Sequence, residues 1–397
     1  MSAAGAPPAP NLRAALPAVI GSLICVHASM AATRVTASLL VLERGYPEWI
    51  VGVLLSLFAV APIGLSLWAG RLADRHGLHR PLSVGVAMGL AGALVAVLTQ
   101  HPAALAVAAL ATGGAVAVAA VGIQREAGLM ARDASDLKRV FSWIALGPAL
   151  SNALAPVVVG LLIDHVGFRA GFVFAALLPL LAWWLGQRVP RGLSGPARSP
   201  AEDSRGRPRG ALSLLRLAPL RHLLLVNLAL SSCWDAHSFA VPVLGHTRGL
   251  SASSIGLILG SFAVAATVVR LAISRWADHL DEKRALRGAM ALATVTCAVY
   301  FWLPGAAGMM LGSALLGLAL GSVQPMILAM LHQVTPGDRH GQALGLRMLA
   351  TNAATIVMPV SFGALAAATV PAAPLWLMGS LVLAAQMPAA RIARPQD

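Results

Sequence analysis

Twelve long apolar runs constrain this chain more than any other feature of its sequence. They lie at about 15–40, 49–69, 81–99, 103–126, 139–162, 170–187, 221–244, 254–274, 287–304, 308–332, 342–366 and 374–389. Within a few residues at each end, every run has the length at which an α-helix crosses the hydrocarbon core of a bilayer. Backbone polar groups in lipid must be satisfied within their own segment, so we expect each run to be helical. The sequence therefore predicts an all-α integral membrane protein with twelve transmembrane helices.

Composition and charge placement support a membrane protein. Hydrophobic residues make up 58% of the chain and charged residues only 11%, whereas soluble domains carry about 25% charged residues. The net charge of +14 could indicate a polyanionic partner, but 22 of the 29 Lys and Arg residues lie on one predicted side and three on the other. This asymmetry follows the positive-inside rule and predicts cytoplasmic termini. The excess charge orients the chain, and we expect no nucleic-acid partner.

A polar segment divides the apolar runs into two sets of six. Residues 188–220 are rich in Arg, Pro, Gly and Ser, a composition that favours a linker on the cytoplasmic side. We therefore predict an N-terminal six-helix bundle over residues 1–187 and a C-terminal six-helix bundle over residues 221–397.

The turn between the second and third runs carries a recognisable motif. Residues 70–80 read Gly-Arg-Leu-Ala-Asp-Arg-His-Gly-Leu-His-Arg, and a degraded copy lies 204 residues later at 274–278. The pattern G-x-L-A-D-R-x-G-x-x-R resembles the loop motif between helices 2 and 3 of the major facilitator superfamily of secondary transporters. Two pseudo-symmetric six-helix halves joined by a cytoplasmic linker are the architecture of that fold.

The resemblance implies a gate on the cytoplasmic side. In the family, the motif's Asp faces the N-terminus of helix 11 and its Arg pairs with an acid on helix 4, which here implies Asp74 and Arg75 with Glu126 as the available acid. Such contacts hold the cytoplasmic side shut. The predicted gate residues are Gly70, Asp74, Arg75, Gly77, Arg80, Glu126 and Asp278. The chain departs from the family in lacking basic residues directly after Gly77.

Helix 5 carries a second, partial resemblance. Pro156 and Gly160 match two positions of a motif that is associated with exporters of this superfamily. This partial match implies an antiporter that exports its substrate.

Ionisable residues inside membrane spans are costly and are therefore candidates for function. A shift of 204 residues lays Arg34 in helix 1 on Ser238 in helix 7, close to Asp235 and His237. In the family, helices 1 and 7 line the central cavity, so we expect these three ionisable side chains to face each other there. Arg34 would bind an anionic group, Asp235 would exchange a proton, and His237 would titrate as a second group. The alternative is that Arg34 and Asp235 extend toward the outer surface.

Five polar positions carry weaker predictions. Arg125 and Glu126 are adjacent on helix 4 and point about 100° apart, so one is expected to face the cavity and the other the gate; Arg125 is the cavity candidate and Glu126 the gate candidate. Gln324 on helix 10 is a candidate substrate ligand. Arg270 is expected at the membrane interface, and Arg347 is expected either at the cytoplasmic mouth or extended toward the surface.

The sequence contains no signature of an enzyme or a metal site. Its three cysteines show no metal-ligand spacing, and there is neither a P-loop nor an H-E-x-x-H motif. We therefore expect no catalytic residues, no metal and no cofactor. Without a nucleotide-binding domain, any transport must be driven by a gradient.

Together these observations predict a secondary transporter that moves a small organic solute by alternating access, with proton-coupled export favoured. We expect a monomer in a bacterial inner membrane, with the lipid bilayer, the substrate and protons as its partners. Two alternatives stay open: a proton-coupled uptake symporter for an organic anion, and a receptor that keeps the fold without transport. The retained gate motif argues against the receptor.

Overall fold

A computed structural model describes residues 12–130, 134–190, 211–276, 281–335 and 340–392. The long helices are α1 (Leu12–Glu43), α2 (Glu48–His76), α3 (His79–Leu98), α4 (Pro102–Leu129), α5 (Ala134–His165), α6 (Phe168–Gly186), α7 (Ala218–Thr247), α8 (Ala252–Trp276), α9 (Glu282–Val299), α10 (Gly305–Val334), α11 (His340–Ala368) and α12 (Ala373–Ala384), with a short α13 (Gln386–Ala390) after the last. The described parts of the chain contain no strand. The predicted all-α fold with twelve long helices is confirmed.

Eleven segments of these helices are long and apolar enough to cross a membrane, and α7 is the long helix that is not among them. α7 has 30 residues, and Asn227, Asp235 and His237 lie along it. Polar residues in a transmembrane segment almost always face the interior of the bundle. The polarity of α7 is therefore the first indication that this helix lines the functional site.

Most of the helix pairs in contact fall into two groups. In the first group α3 and α2 contact α4, while α1 contacts α5 and α6; in the second, α10 contacts α8 and α9, while α7 contacts α11 and α12. Small residues permit this packing: a Cβ on Gly85 of α3 would lie 2.8 Å from the Ala115 carbonyl oxygen of α4. Residues 191–210 of the predicted linker lie outside the described residues, as do 1–11 and 393–397.

The two groups meet through α5 with α8 and through α2 with α11. A Cβ on Gly52 would lie 2.1 Å from the Pro359 carbonyl oxygen, and one on Gly256 would lie 2.2 Å from that of Pro156. Only glycine permits such an approach of backbone to backbone. These contacts close one end of the bundle, the end at which the α1–α2 and α7–α8 turns lie. We call it the opposite end, and we call the end with the α2–α3 turn the basic end.

Among the described residues, close contacts of this kind between the two groups are confined to the half of the bundle nearer the opposite end. The innermost include a hydrogen bond of 2.5 Å from the Ser56 hydroxyl to the Ile356 carbonyl oxygen and the approach of Gly260 to the Ala153 carbonyl oxygen. Toward the basic end, Asp74 of α2 is 60% exposed. The structure is therefore closed at the opposite end.

Candidate functional site

Two neighbouring cavities follow α7. The larger, the open cavity, has a volume of about 270 Å³ and lies between α7, α8, α10 and α11. Its polar lining residues are Asn227, Ser231, Asp235, Arg270, Gln324, Arg347, Thr351 and Thr355. The sequence-predicted candidates Asp235 and Gln324 are thus brought into one cavity.

Asp235 lies near the middle of α7, in the wall of the open cavity. Its carboxyl group interacts with the Thr355 hydroxyl of α11. Its Oδ2 atom is buried and has no hydrogen-bond partner within the described part of the chain. A buried oxygen without a donor is costly, and it is a position at which a proton can be added without breaking an existing contact.

Two arginines stand on the same cavity. Arg347 donates to the Asn227 side-chain oxygen at 3.4 Å, and its Nε atom is buried without a partner among the described residues. Arg270 donates to the Gly321 carbonyl oxygen at 3.2 Å and lies 5.8 Å from the centre of the Trp234 ring. The α10 carbonyl and the Trp234 ring hold Arg270 in the cavity wall, a position that the sequence reasoning did not predict.

The smaller, enclosed cavity lies between the two groups of helices. Its polar lining residues are Arg34, Ser38, Asn152, His237 and Ser238, and its aromatic lining residues are Trp234 and Phe262. Arg34 donates to the Asn152 side-chain oxygen at 3.0 Å, so its guanidinium group is turned into the bundle. Trp234 lines both cavities.

Arg34 and Asp235 therefore lie in adjoining cavities. Their charges are close enough to interact electrostatically, although Asn152 is the hydrogen-bonding partner that the structure shows for the guanidinium group. The carboxylate and the guanidinium group thus interact through their charges, while the guanidinium group keeps its hydrogen bond to Asn152.

His237 lies deeper, against α8 and α10. Its Nε2 atom is 2.8 Å from the Ser313 hydroxyl, and its ring stacks on Phe262 with 4.2 Å between centroids. The residue is 1% exposed, and its Nδ1 atom has no partner within the described part of the chain.

The predicted gate residues lie at the basic end. Arg125 contacts Asp74, with 3.2 Å between Nε and Oδ1, so Arg125 is placed with the gate and not with the cavities where it was expected. The reason is that α4 packs against α2, which turns this position toward the α2 terminus. Glu126 is buried at 2% exposure, whereas Arg75 is exposed; Asp278 lies outside the described residues.

The turn between α2 and α3 depends on a glycine. Gly77 has φ of +64° and its N–H donates to the Ala73 carbonyl oxygen at 2.8 Å. A positive φ at a helix C-terminus is accessible to glycine at little cost. Gly70 precedes this turn within α2, and Arg80 follows it at the start of α3.

The structure also identifies a residue that the sequence reasoning missed. Both carboxylate oxygens of Asp164, in the last turn of α5, accept backbone N–H groups at the N-terminus of α8, from Ala252 and Ser253, each at 2.9 Å. A carboxylate is favourable at a helix N-terminus and unfavourable at a C-terminus. An acid in the last turn of a helix was therefore a signal that a partner had to lie elsewhere.

Within the described residues, no group of three or more His, Cys, Asp or Glu side chains could hold a metal ion.

Comparison with protein families identifies the chain. The model of the Major Facilitator Superfamily matches residues 19–311 and, in a second match, residues 223–396. The chain belongs to this superfamily, as its motif and repeat predicted.

Solved structures show the same fold. A mutant of the nucleoside transporter NupG superposes with a TM-score of 0.80 at 14% identity, covering 97% of this chain and 100% of that one. The peptide transporter POT, also a mutant, gives 0.73 at 17%, covering 94% and 93%. A bacterial homologue of the human lysosomal transporter Spinster, in an inward-facing and occupied conformation, gives 0.71 at 13%, covering 97% and 96%. The chain is a multi-pass membrane protein with the fold of a secondary transporter.

Proposed function

We propose that the protein is a proton-coupled symporter that takes up a small organic anion by alternating access. The observation that carries this proposal is the charge of the cavities. Their lining contains three guanidinium groups, those of Arg34, Arg270 and Arg347, and one carboxylate, that of Asp235. Buried charges need partners, and an excess of positive charge favours an anionic substrate.

Proton coupling follows from the electrostatic interaction between Arg34 and Asp235. An anion that binds to Arg34 weakens the attraction between the guanidinium group and the carboxylate, which lets Asp235 accept a proton at Oδ2. By reciprocity, a proton on Asp235 frees Arg34 for the anion. Anion and proton therefore bind together and move in the same direction. A cationic substrate would instead compete with the proton, which is the requirement for antiport.

The sequence favoured export, on the strength of Pro156 and Gly160. In the structure both residues pack on α8, where the Pro156 carbonyl oxygen faces Gly256 and Gly160 faces Ala252. Close packing here serves closure of the opposite end in either direction of transport. It therefore gives export no particular support, and the uptake alternative agrees better with the cavity charges.

The remaining parts of the proposal concern orientation and gating. We propose that the basic end faces the cytoplasm of a bacterial inner membrane, so that the conformation is inward-facing. The group around Asp74 and Arg75 would then close the cytoplasmic side in the other conformation. A monomer suffices, because both cavities are built from one chain.

The test is proton flux in proteoliposomes that hold the purified protein, challenged with organic anions, cations and neutral compounds. Symport predicts that an added anion makes the external medium more alkaline. Asp235→Asn should abolish this proton flux but keep exchange of labelled anion for unlabelled anion. Glu282→Gln, at the start of α9 and away from both cavities, is the matched control and should behave as the wild type.

Three outcomes would contradict the proposal. Acidification on addition of substrate would show antiport. Undiminished proton flux in Asp235→Asn would remove the role of this carboxylate. Responses to cations alone would exclude an anionic substrate.

A further inference from the structure

The enclosed cavity contains an imidazole whose protonation can be worked out from its neighbours. Three hydrogen bonds connect four groups in a row: His237 Nε2 to Ser313 Oγ at 2.8 Å, Ser313 Oγ to the Tyr300 hydroxyl at 2.6 Å, and that hydroxyl to the Met309 carbonyl oxygen at 3.2 Å. His237, Ser313 and Tyr300 are all buried. The row runs inward from the cavity wall to the backbone of α10.

The carbonyl at the end of the row fixes the direction of every bond. A carbonyl oxygen only accepts, so the Tyr300 hydroxyl must donate to Met309. Its single proton is then used, and the Ser313 hydroxyl must donate to the Tyr300 oxygen. Ser313 Oγ in turn accepts from His237, which places the imidazole proton on Nε2. All three bonds are satisfied only in this arrangement.

The arrangement leaves His237 Nδ1 as a bare acceptor. This atom is buried and has no partner among the residues that the structure describes, and His237 lines the enclosed cavity. A buried acceptor without a donor is unfavourable, and a ligand that supplies an O–H or N–H group would satisfy it.

Arg34 supplies the complementary half of the site. Its guanidinium group has five N–H donors, and the contact with Asn152 uses an N–H of one nitrogen. Guanidinium groups recognise carboxylates by paired hydrogen bonds. Arg34, with its charged donors, and His237, with its unpartnered ring acceptor, thus both belong to the lining of the enclosed cavity.

We propose that the enclosed cavity binds the part of the substrate that carries an anionic group together with a hydrogen-bond donor. The substrate class is then a small organic anion with a hydroxyl or N–H group, such as a 2-hydroxy carboxylate. The same carboxylate without the hydroxyl group would be a poorer substrate. This inference rests on the proposed function, whose anion it specifies. A site built to hydrogen-bond a substrate hydroxyl strongly rejects the analogue without it.

The experiment compares pairs of carboxylates with the same carbon skeleton, one with a 2-hydroxyl group and one without. Uptake of each is measured in proteoliposomes. For the wild type we expect at least about a tenfold preference for the hydroxy acid.

Two substitutions at one position separate the two ring nitrogens. In His237→Gln the amide reaches the Nε2 position and keeps the contact with Ser313, but nothing replaces Nδ1, so the ratio of hydroxy-acid uptake to uptake of the acid without the hydroxyl group should fall to about one. In His237→Asn the amide oxygen lies near the Nδ1 position, so most of the preference should remain. If either variant fails to fold, Ser313→Ala removes the group that fixes the imidazole proton, and the preference should fall at least threefold.

Each result decides between the two claims. Uptake of anions without a preference for the hydroxy acid, or a preference that Gln and Asn keep equally, would overturn this inference and leave the proposed function standing. A preference unchanged in Ser313→Ala would also overturn it. No uptake of any anion would overturn the proposed function, and the inference with it.

Discussion

Two aspartates at the two ends of the bundle behave differently. Asp164, at the C-terminal end of α5, binds backbone N–H groups of α8 in the other half of the molecule. Asp74, near the C-terminal end of α2, contacts Arg125 of its own half at 3.2 Å and is 60% exposed. Each lies on a helix that packs against the other group, yet among the residues that the structure describes, which exclude 336–339 before α11, the contact across the interface is that of Asp164.

This difference shows what holds the observed conformation. At the opposite end, a charge-assisted contact from Asp164 reinforces an interface in which backbone packs on Gly256 and Gly52. At the basic end, the acid is satisfied locally by Arg125. In a transporter that alternates between two conformations, one contact would replace the other. Asp74 would contact the other group of helices only in the conformation in which Asp164 no longer binds α8. Four substitutions test this comparison.

The largest effect is expected from Gly256→Ala. The new Cβ would lie 2.2 Å from the Pro156 carbonyl oxygen, which neither backbone can accommodate without separating, so the opposite end should no longer close and uptake should fall more than about tenfold. The measurement is the distance between spin labels on the α1–α2 and α7–α8 turns. Gly64→Ala on α2, where nothing lies within 4 Å of the new Cβ, is the control and should leave the distance unchanged.

Asp164→Asn should have the second largest effect. It removes the negative charge from the N-terminus of α8, a loss of roughly 1 kcal/mol, which corresponds to about a fivefold shift of the population toward an open opposite end. The same label distance reports it. A distance distribution identical to that of the wild type would show that glycine packing alone holds this end.

Asp74→Asn should have a smaller effect on the same conformation. Its partner Arg125 belongs to the same group of helices and the Asp74 side chain itself is 60% exposed, so the contact contributes less than about 1 kcal/mol. Thermal unfolding in detergent should change little, and the label distance at the opposite end should not increase. If Asp74→Asn opened the opposite end as much as Asp164→Asn, the two aspartates would not differ as described.

His246→Gln should have the smallest effect. The His246 ring lies 3.9 Å from the Glu43 carboxylate across the interface, and the Glu43 side chain is 64% exposed. A contact between exposed groups contributes less than about 1 kcal/mol, so the label distance at the opposite end should change less than it does in Asp164→Asn. A shift as large as that of Asp164→Asn would contradict this ranking.

Part of the cavity lining could be predicted from the sequence. Asp235, His237 and Arg34 were predicted as cavity residues because ionisable residues within apolar runs are rare, and all three line the two cavities. The cavity position of Arg270 was not predicted, because its surroundings along the chain resemble a helix end, whereas its contacts are with a ring of α7 and a carbonyl of α10. Asn152 and Trp234 carry no charge and gave no comparable signal.

The sequence by itself determined the all-α multi-pass fold and the family, because hydropathy and a turn motif depend on neighbours along the chain. Only the tertiary structure decided which partners the charges have. Asp164 meets α8 at a separation of 88 residues, Arg34 meets Asn152 at 118, and His237 meets Ser313 at 76. Such contacts depend on how helices rotate and cross when they pack, and hydrophobic patterning within one helix does not specify that rotation.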